Sequence, residues 1–463
     1  MLAESMLREL REALGSKNVL SETEDLLTYA YDATAAMRRK TPDVVVAPKS
    51  TEEVSQVLKI AQKYGLPVYP RGSGTNLSGG TIPLEGGIVL SLLNMNRILE
   101  VDTENLTATV QPGVIIQDLN NEVAQHGLLY PPDPGTVTTA TMGGSVSECS
   151  GGLRGLKYGV TKHYMMGMRL VLADGEVIKW GGKTVKNVTG YDLTALFTGA
   201  EGTLGIITEI LVKLIPAPEA RKSLLGVFDD VDKAGRAISA IIRNRIIPAT
   251  LEIMDNMTLR TVENFTHAGL PIEAEAVLLI EVDGYKEVVE REAALVEDVL
   301  QQEGAVEVKV AKDEQERERI WFARRSALPA LAQKKPTTVL EDATVPRSKI
   351  PEMLKAIREI AHKHDLLIGT FGHAGDGNLH PTILTDERDK EEMARVEKAV
   401  DEIFQVAISL GGTLSGEHGI GIAKAKYLPL EFGEAGVRTL RRIKEALDPQ
   451  YRLNPGKIVI RKE

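Results

Sequence analysis

Cysteine is nearly missing from this chain: its 463 residues hold one, Cys149. A lone thiol closes no internal disulfide, and an iron–sulfur cluster, which takes about four thiolates, cannot be held by this chain alone. A reducing compartment fits that count. Basic charge is not in excess either. Lys+Arg is 55 against 65 Asp+Glu, a formal charge of -10, which argues against a general nucleic-acid binder and leaves room for a local basic site for a small anion. No apolar run approaches the roughly 18 residues of a membrane span. The opening MLAESMLRELREALG lacks the basic and apolar regions of a signal peptide and reads as an amphipathic helix carrying acids. These absences point to a cytoplasmic protein, peripheral to a membrane at most through a partner.

What the chain has is length and glycine. A chain of 463 residues exceeds one ordinary core, so two or three domains are expected. Hydrophobic residues at 43% and charged residues at 26% fit a soluble globular protein. The 42 glycines crowd into 71–87, 135–159, 181–205, 369–377 and 411–421. Clustered glycine marks backbone that bends sharply or approaches a ligand closely.

Residues 43–47 read as a buried strand and 51–65 as a helix, with Thr51 as N-cap and Gly65 as its stop. Val54, Val57, Leu58 and Ala61 give that helix one apolar face. With the strand at 67–70 this is a β-α-β unit, and a glycine-rich loop follows at the position where α/β sheets bind ligands. Strands are expected over 88–111, a helix near 114–126, a hairpin at 168–180 around Asp174-Gly175, and a strand at 203–214. The stretch PPDPGTVTTATMGGSVSECSGG reads as turns without periodicity. Pro216 and Pro218 mark a boundary near 217. Beyond it, two β-α-β halves predict a ferredoxin-like sheet with helices on one face, followed by a third half over 337–375. The expected domains are 1–217, 218–425 and a C-terminal helix and tail, 426–463, returning to the first.

Several constellations carry chemistry. Pro70-Arg-Gly-Ser-Gly-Thr-Asn-Leu-Ser-Gly-Gly80 leaves backbone N–H groups bare, as phosphate-binding nests do. It is neither a G-x-G-x-x-G fingerprint nor a P-loop. The Gly/Thr/Ser stretches over 132–152 and 201–207 carry few charges; such a stretch does not build a core and can wrap a large planar cofactor. In His373-Ala-Gly-Asp-Gly-Asn-Leu-His380 the central residues are turn chemistry. A symmetric hairpin would set His373 opposite His380, with Cβ atoms roughly 5 Å apart. Two imidazoles and a carboxylate such as Glu417 then suit a divalent metal: Zn²⁺, Fe²⁺ or Mn²⁺. Glu341 and Asp342 read as surface positions more readily than as an acid pair behind the site. Cys149 reads as a small packing residue, His362 and His364 as a helix C-terminus, His126 and His267 as surface, and His163 stays ambiguous.

The segments PRGSGTNLSGG, PPDPGTVTTATMGG, GYDLTALFTGAEGTLGIIT, HAGDGNLHP, SGEHGIG and LNPGK, in this order, resemble the vanillyl-alcohol oxidase / p-cresol methylhydroxylase flavoprotein superfamily. Within it the chain resembles the group of glycolate oxidase flavoprotein subunits and D-lactate dehydrogenases. The resemblance implies an α+β fold: a p-cresol methylhydroxylase-type FAD-binding domain of two α+β subdomains, plus a ferredoxin-like substrate (cap) domain. It implies that Arg71, Gly72, Ser73, Gly74 and Thr75 hold the FAD pyrophosphate. Pro134, Gly135, Thr141, Gly143, Gly144, Ser147, Gly151, Glu201, Gly205, Ile206, Ile207 and Asn454 would contact the rest of the cofactor. The glycine loop has neither His nor Cys, so the FAD is expected to be non-covalent. The resemblance further implies that His373, His380 and Glu417 hold Zn²⁺ or a similar ion, that His418 is the base, and that the W-x-x-R pattern makes Arg324 the carboxylate anchor. Related D-2-hydroxyglutarate dehydrogenases carry a Lys and an Asn where this chain has Leu340 and Thr382, which argues for a small monocarboxylate.

The expectation is an FAD-dependent dehydrogenase of glycolate or D-lactate. Its electrons would pass to an iron–sulfur partner subunit, an electron-transfer flavoprotein or a quinone, in a possible hetero-oligomer. Two alternatives stand beside it: a metal-dependent hydrolase without flavin, and a non-catalytic flavin-binding subunit of an oxidase complex.

Overall fold

The computed structural model describes residues 4–35, 37 and 40–461. It divides into two compact units. The first comprises 1–150, 160–217 and 417–463; the second comprises 151–159 and 218–416. The chain therefore re-enters the first unit at Glu417, not after 425, and lends the second unit a short segment from the middle of the first.

In the first unit a four-stranded sheet runs in the order Val19–Leu20, Val44–Val46, Ile88–Ser91, Val68–Arg71, the last three mutually parallel. The helix Thr51–Tyr64 forms as its periodicity predicts, but its N-cap is Ser50, whose side chain accepts from Glu53 N–H; Gly65 closes it in the left-handed region. The expected N-terminal helix covers Glu4–Leu14, its first three residues lying outside the described ones. Met6, Leu10 and Leu14 pack with Val54, Val57, Leu58 and Ala61 over the sheet. A second, antiparallel sheet runs Ile98–Asp102, Thr107–Val110, Ile206–Lys213, Met165–Val171, Val177–Gly181. These are the two α+β subdomains of the expected fold.

The stretch read as turns contains a helix, Met142–Glu148. Its residues are too small to show periodicity. Thr141 caps it by accepting from Gly144 N–H at 3.2 Å, and Gly143 N–H bonds Pro112 O at 2.8 Å. The last helix, Leu428–Leu447, is broken at Gly433 (φ 62°). It ends in a buried knot: Lys444 Nζ donates to Thr203 O (2.6 Å), Asp448 Oδ2 (2.6 Å) and Leu453 O (2.8 Å), using all three ammonium hydrogens.

The second unit is built on one antiparallel sheet. Glu307–Val310, Ala220–Phe228, Ala276–Gly284 and Thr250–Asp255 take the ferredoxin-like order, and Leu367–His373, Asn378–Thr385 and Thr337–Leu340 extend it. Helices cover both faces, not one. Leu225 and Val227 join the helices Asn256–Thr266, Glu314–Arg325 and Ala327–Leu331 in one core, while Gly226, pointing the other way, meets Leu300 of the helix Lys286–Gln302. Strands buried on both faces read as continuous apolar runs, and AVLLI at 276–280 is one. The helix Asn256–Thr266 was not anticipated.

Candidate active site

In the first unit, Arg71 ends the edge strand of the parallel sheet and the glycine loop leaves it there. A cleft with about 510 Å³ of empty space, open solvent included, lies beside it. Of the residues expected to contact cofactor, Arg71, Gly72, Thr141, Gly143, Gly144, Ser147, Glu201, Gly205, Ile206 and Ile207 line this cleft. The backbone N–H groups of Gly72, Ser73, Gly74 and Thr75 find no acceptor among the described residues. The Arg71 guanidinium is engaged with protein: Nη1 donates to Tyr31 O at 2.7 Å and Thr81 Oγ1 at 3.1 Å. Gly74 (φ 73°) makes room for it, because a Cβ there would lie 2.2 Å from Arg71 Nη2. Ser73, Gly74, Thr75, Pro134 and Gly135 are outside the cleft lining. Gly151 belongs to the segment lent to the second unit. Asn454 lies behind the cleft as a clasp, its amide donating to Gly80 O (2.8 Å) and Glu201 O (2.7 Å).

Two carboxylates meet at the cleft. Glu201, itself in the left-handed region at φ 51°, accepts from Ile420 N–H (2.6 Å) and Gly421 N–H (2.8 Å). Glu148 lines the same cleft, and its Oε2 is shielded from solvent with no hydrogen-bond partner among the described residues. Both press on Gly419: a Cβ there would lie 2.1 Å from Glu148 Oε2 and 3.0 Å from Glu201 Oε1. Burial pushes the Glu201 carboxyl up to about 7, against the pull of the two N–H donors, Lys424 and Lys457. Burial, then Glu201, then Asp32 raise Glu148 well above the ordinary carboxyl range. Two such groups cannot both ionise cheaply. Glu148 was not singled out from the sequence, since one acid after a run of small residues carries no motif.

In the second unit the hairpin register is not symmetric. His373 pairs with Asn378 and His380 with Phe371, so the two imidazoles are diagonal neighbours on one face. They still meet, with ring centroids 5.1 Å apart and planes at 87°, and their nitrogens come within 4.8 Å. Behind them lies Glu252, fully buried on Thr250–Asp255. Its Oε1 is 2.7 Å from His373 Nδ1, and its Oε2 pairs with Arg324 Nη2. Burial alone would raise this carboxyl, but Arg324 and His373 outweigh it and hold it below the ordinary range. Arg324 lies over the Phe371 ring at 4.8 Å, and its buried Nε has no acceptor among the described residues. A sequence signal for Glu252 existed: a carboxylate inside the apolar run ATLEIM.

Asp342 is fully buried, not at the surface as expected; it accepts from Ser415 Oγ (2.6 Å) and Gly416 N–H (2.8 Å). Glu341 is also buried. Glu417 and His418 open the C-terminal segment of the first unit, half-buried and buried respectively. His163 Nδ1 accepts from Val160 N–H at 3.0 Å. Burial raises the Cys149 thiol pKa.

Residues 217–458 match FAD linked oxidases, C-terminal domain, and residues 42–181 match the FAD binding domain. The chain belongs to the FAD-linked oxidases. Its relatives within that family include the glycolate oxidase subunit GlcD of Bacillus subtilis (strain 168), 52% identical over 99% of this chain and 97% of that protein. A D-lactate dehydrogenase of Anaerostipes hadrus is 37% identical over 98% and 97%. The fold of p-cresol methylhydroxylase superposes with a TM-score of 0.81 at 20% identity, over 98% of this chain and 96% of that one. For an FAD-linked oxidase the bare N–H groups of 72–75 and the adjoining cleft are a fitting cofactor cradle. A flavin-free hydrolase is not favoured. No helix among the described residues is long and apolar enough to cross a membrane.

Proposed function

We propose that this FAD-linked oxidase oxidises a small D-2-hydroxy acid, glycolate or D-lactate, to the 2-oxo acid. The observation that carries the reading is Arg324: a buried guanidinium whose Nε has no acceptor among the described residues, in one unit with the His373–His380 pair. Arg is the natural fork for a carboxylate, and the relatives named for glycolate and D-lactate support such a substrate.

Bound FAD supplies the two-electron acceptor, and a divalent cation would supply Lewis acidity toward the substrate oxygens. The residues do the rest. The N–H groups of 72–75 take the cofactor's pyrophosphate without a covalent link. Arg324 orients the substrate carboxylate. His373, His380 and Glu417 would hold the cation, with Zn²⁺ suited to this nitrogen and oxygen set and Fe²⁺ or Mn²⁺ the alternatives. His418 accepts the hydroxyl proton as general base. Leu340 and Thr382, register partners on neighbouring strands, give the pocket no cation or amide for a second carboxylate.

The substrate's electrons leave through an external acceptor. One cysteine cannot build a cluster, so an iron–sulfur partner subunit fits best, with an electron-transfer flavoprotein or a quinone as alternatives. The name of the Bacillus subtilis relative, a subunit, supports a hetero-oligomer. The single thiol suits a reducing compartment and so favours a cytoplasmic location. The test is an anaerobic visible spectrum of the FAD-loaded protein before and after D-lactate, then glycolate. Bleaching with one of them supports the reading. A flavin spectrum that neither changes, with metal supplied, refutes it.

A further inference from the structure

Glu252 has no role in the reading above, yet it touches two of the residues that do. It is wholly shielded from solvent and its two oxygens are divided between them. A carboxylate only accepts hydrogen bonds, so His373 Nδ1, 2.7 Å away, must carry the hydrogen. In the neutral ring the lone pair then falls on Nε2. The other oxygen neutralises Arg324, holding the guanidinium against Phe371. A single carboxylate thus fixes the ring orientation of one group and the fork orientation of another, and no solvent competes for either bond.

We propose that Glu252 is the positioning residue of the substrate site, setting His373 in its Nδ1–H tautomer for cation binding and Arg324 in its carboxylate-binding pose. This rests on the roles given above to His373 and Arg324. Carboxylates behind ligating histidines raise ligand basicity and lock the ring. Glu252 does this while neutralising the anion-recognising group, so the two halves of the site share one support.

The test uses the full-length, FAD-loaded protein. First, ¹⁵N-histidine spectra of the metal-free wild type, with His373 assigned by its loss in His373→Asn, should show Nδ1 protonated and Nε2 bare. An Nε2–H tautomer overturns the proposal. Second, Co²⁺ titration followed in the visible should show affinity lower by about 10- to 100-fold in Glu252→Gln. That variant leaves the Arg324 charge unneutralised, so the double variant Glu252→Gln/Arg324→Met, which buries no lone charge, is measured beside it. The same loss is expected there with FAD content unchanged. Wild-type affinity in the double variant, or a wild type that takes up no Co²⁺ at millimolar concentration, overturns the proposal. Neither readout needs turnover. A wild type with the expected tautomer and Co²⁺ affinity that oxidises neither D-lactate nor glycolate would sink the substrate reading and leave the His373 support standing.

Discussion

Leu340 and Thr382 are direct register partners across two antiparallel strands. They stand 42 residues apart in the chain and side by side in the sheet, so a change at one is felt at the other. Thr382 is fully buried, and its hydroxyl is turned to His380 O at 3.1 Å. Replacing the pair by Leu340→Lys/Thr382→Asn should bring a cation and an amide to one spot. Activity on D-2-hydroxyglutarate should rise relative to D-lactate by about 10-fold or more, since one well-placed charged hydrogen bond contributes about 1.5–3 kcal/mol. An unchanged kcat/KM ratio would remove these positions from the pocket.

His418→Ala should keep the yellow colour and lose substrate reduction of the flavin by about 10²- to 10⁴-fold, the usual worth of a positioned base. Stopped-flow bleaching under anaerobic conditions measures it. Wild-type reduction would mean another group takes the proton.

His380→Ala should lower bound metal, read by elemental analysis of purified protein. Because His373 and His380 are diagonal neighbours within 5.1 Å, loss of one ring leaves the other without a co-ligand in the hairpin. Unchanged metal content would exclude His380 as a ligand.

The Glu148–Glu201 pair makes a pH prediction. Both carboxyls are raised in the folded protein, Glu201 to about 7 from an ordinary 4.5. A raised carboxyl favours folding while it stays protonated, so this contribution is present at acid pH and fades as pH rises through about 7. Glu148→Gln removes the like-charge neighbour. The variant should gain stability over wild type as pH goes from 5 to 8, by about 1.4 kcal/mol per pKa unit relieved. Urea unfolding at the two pH values gives the difference, and a constant gap would show that the two carboxyls do not raise one another.

Lys444→Met should be costly although methionine fills similar volume. Lys444 holds Asp448 and two carbonyls in the core, and removing one partner of a buried pair costs about 3–5 kcal/mol. Thermal unfolding should shift down by several degrees, with weaker FAD retention, since Leu453 leads directly to Asn454 and its bonds to the cleft.

Parts of this molecule were legible residue by residue. The helix Thr51–Tyr64 follows from four apolar residues at helical spacing and a glycine stop, and the hairpin at 165–181 from alternation around Asp174-Gly175. The helix Met142–Glu148 was not, because glycine and serine leave no apolar stripe and what holds it is Thr141 and Pro112. The His373–His380 proximity was anticipated, but the symmetric register was not the one adopted: the turn takes four residues beyond His373 and so offsets the rings.

By itself the sequence determined the order of elements, the glycine-rich cradle and the histidine hairpin, because each is encoded among near neighbours by periodicity, turn chemistry and residue size. Only the tertiary structure decided that Glu252 joins His373 to Arg324 across 121 and 72 residues, and that Glu148 and Glu201 face one glycine. Such pairings depend on strand order and sheet register, which long-range packing sets and no local pattern records. A buried carboxylate's chemistry is fixed by whichever charges that register brings to it.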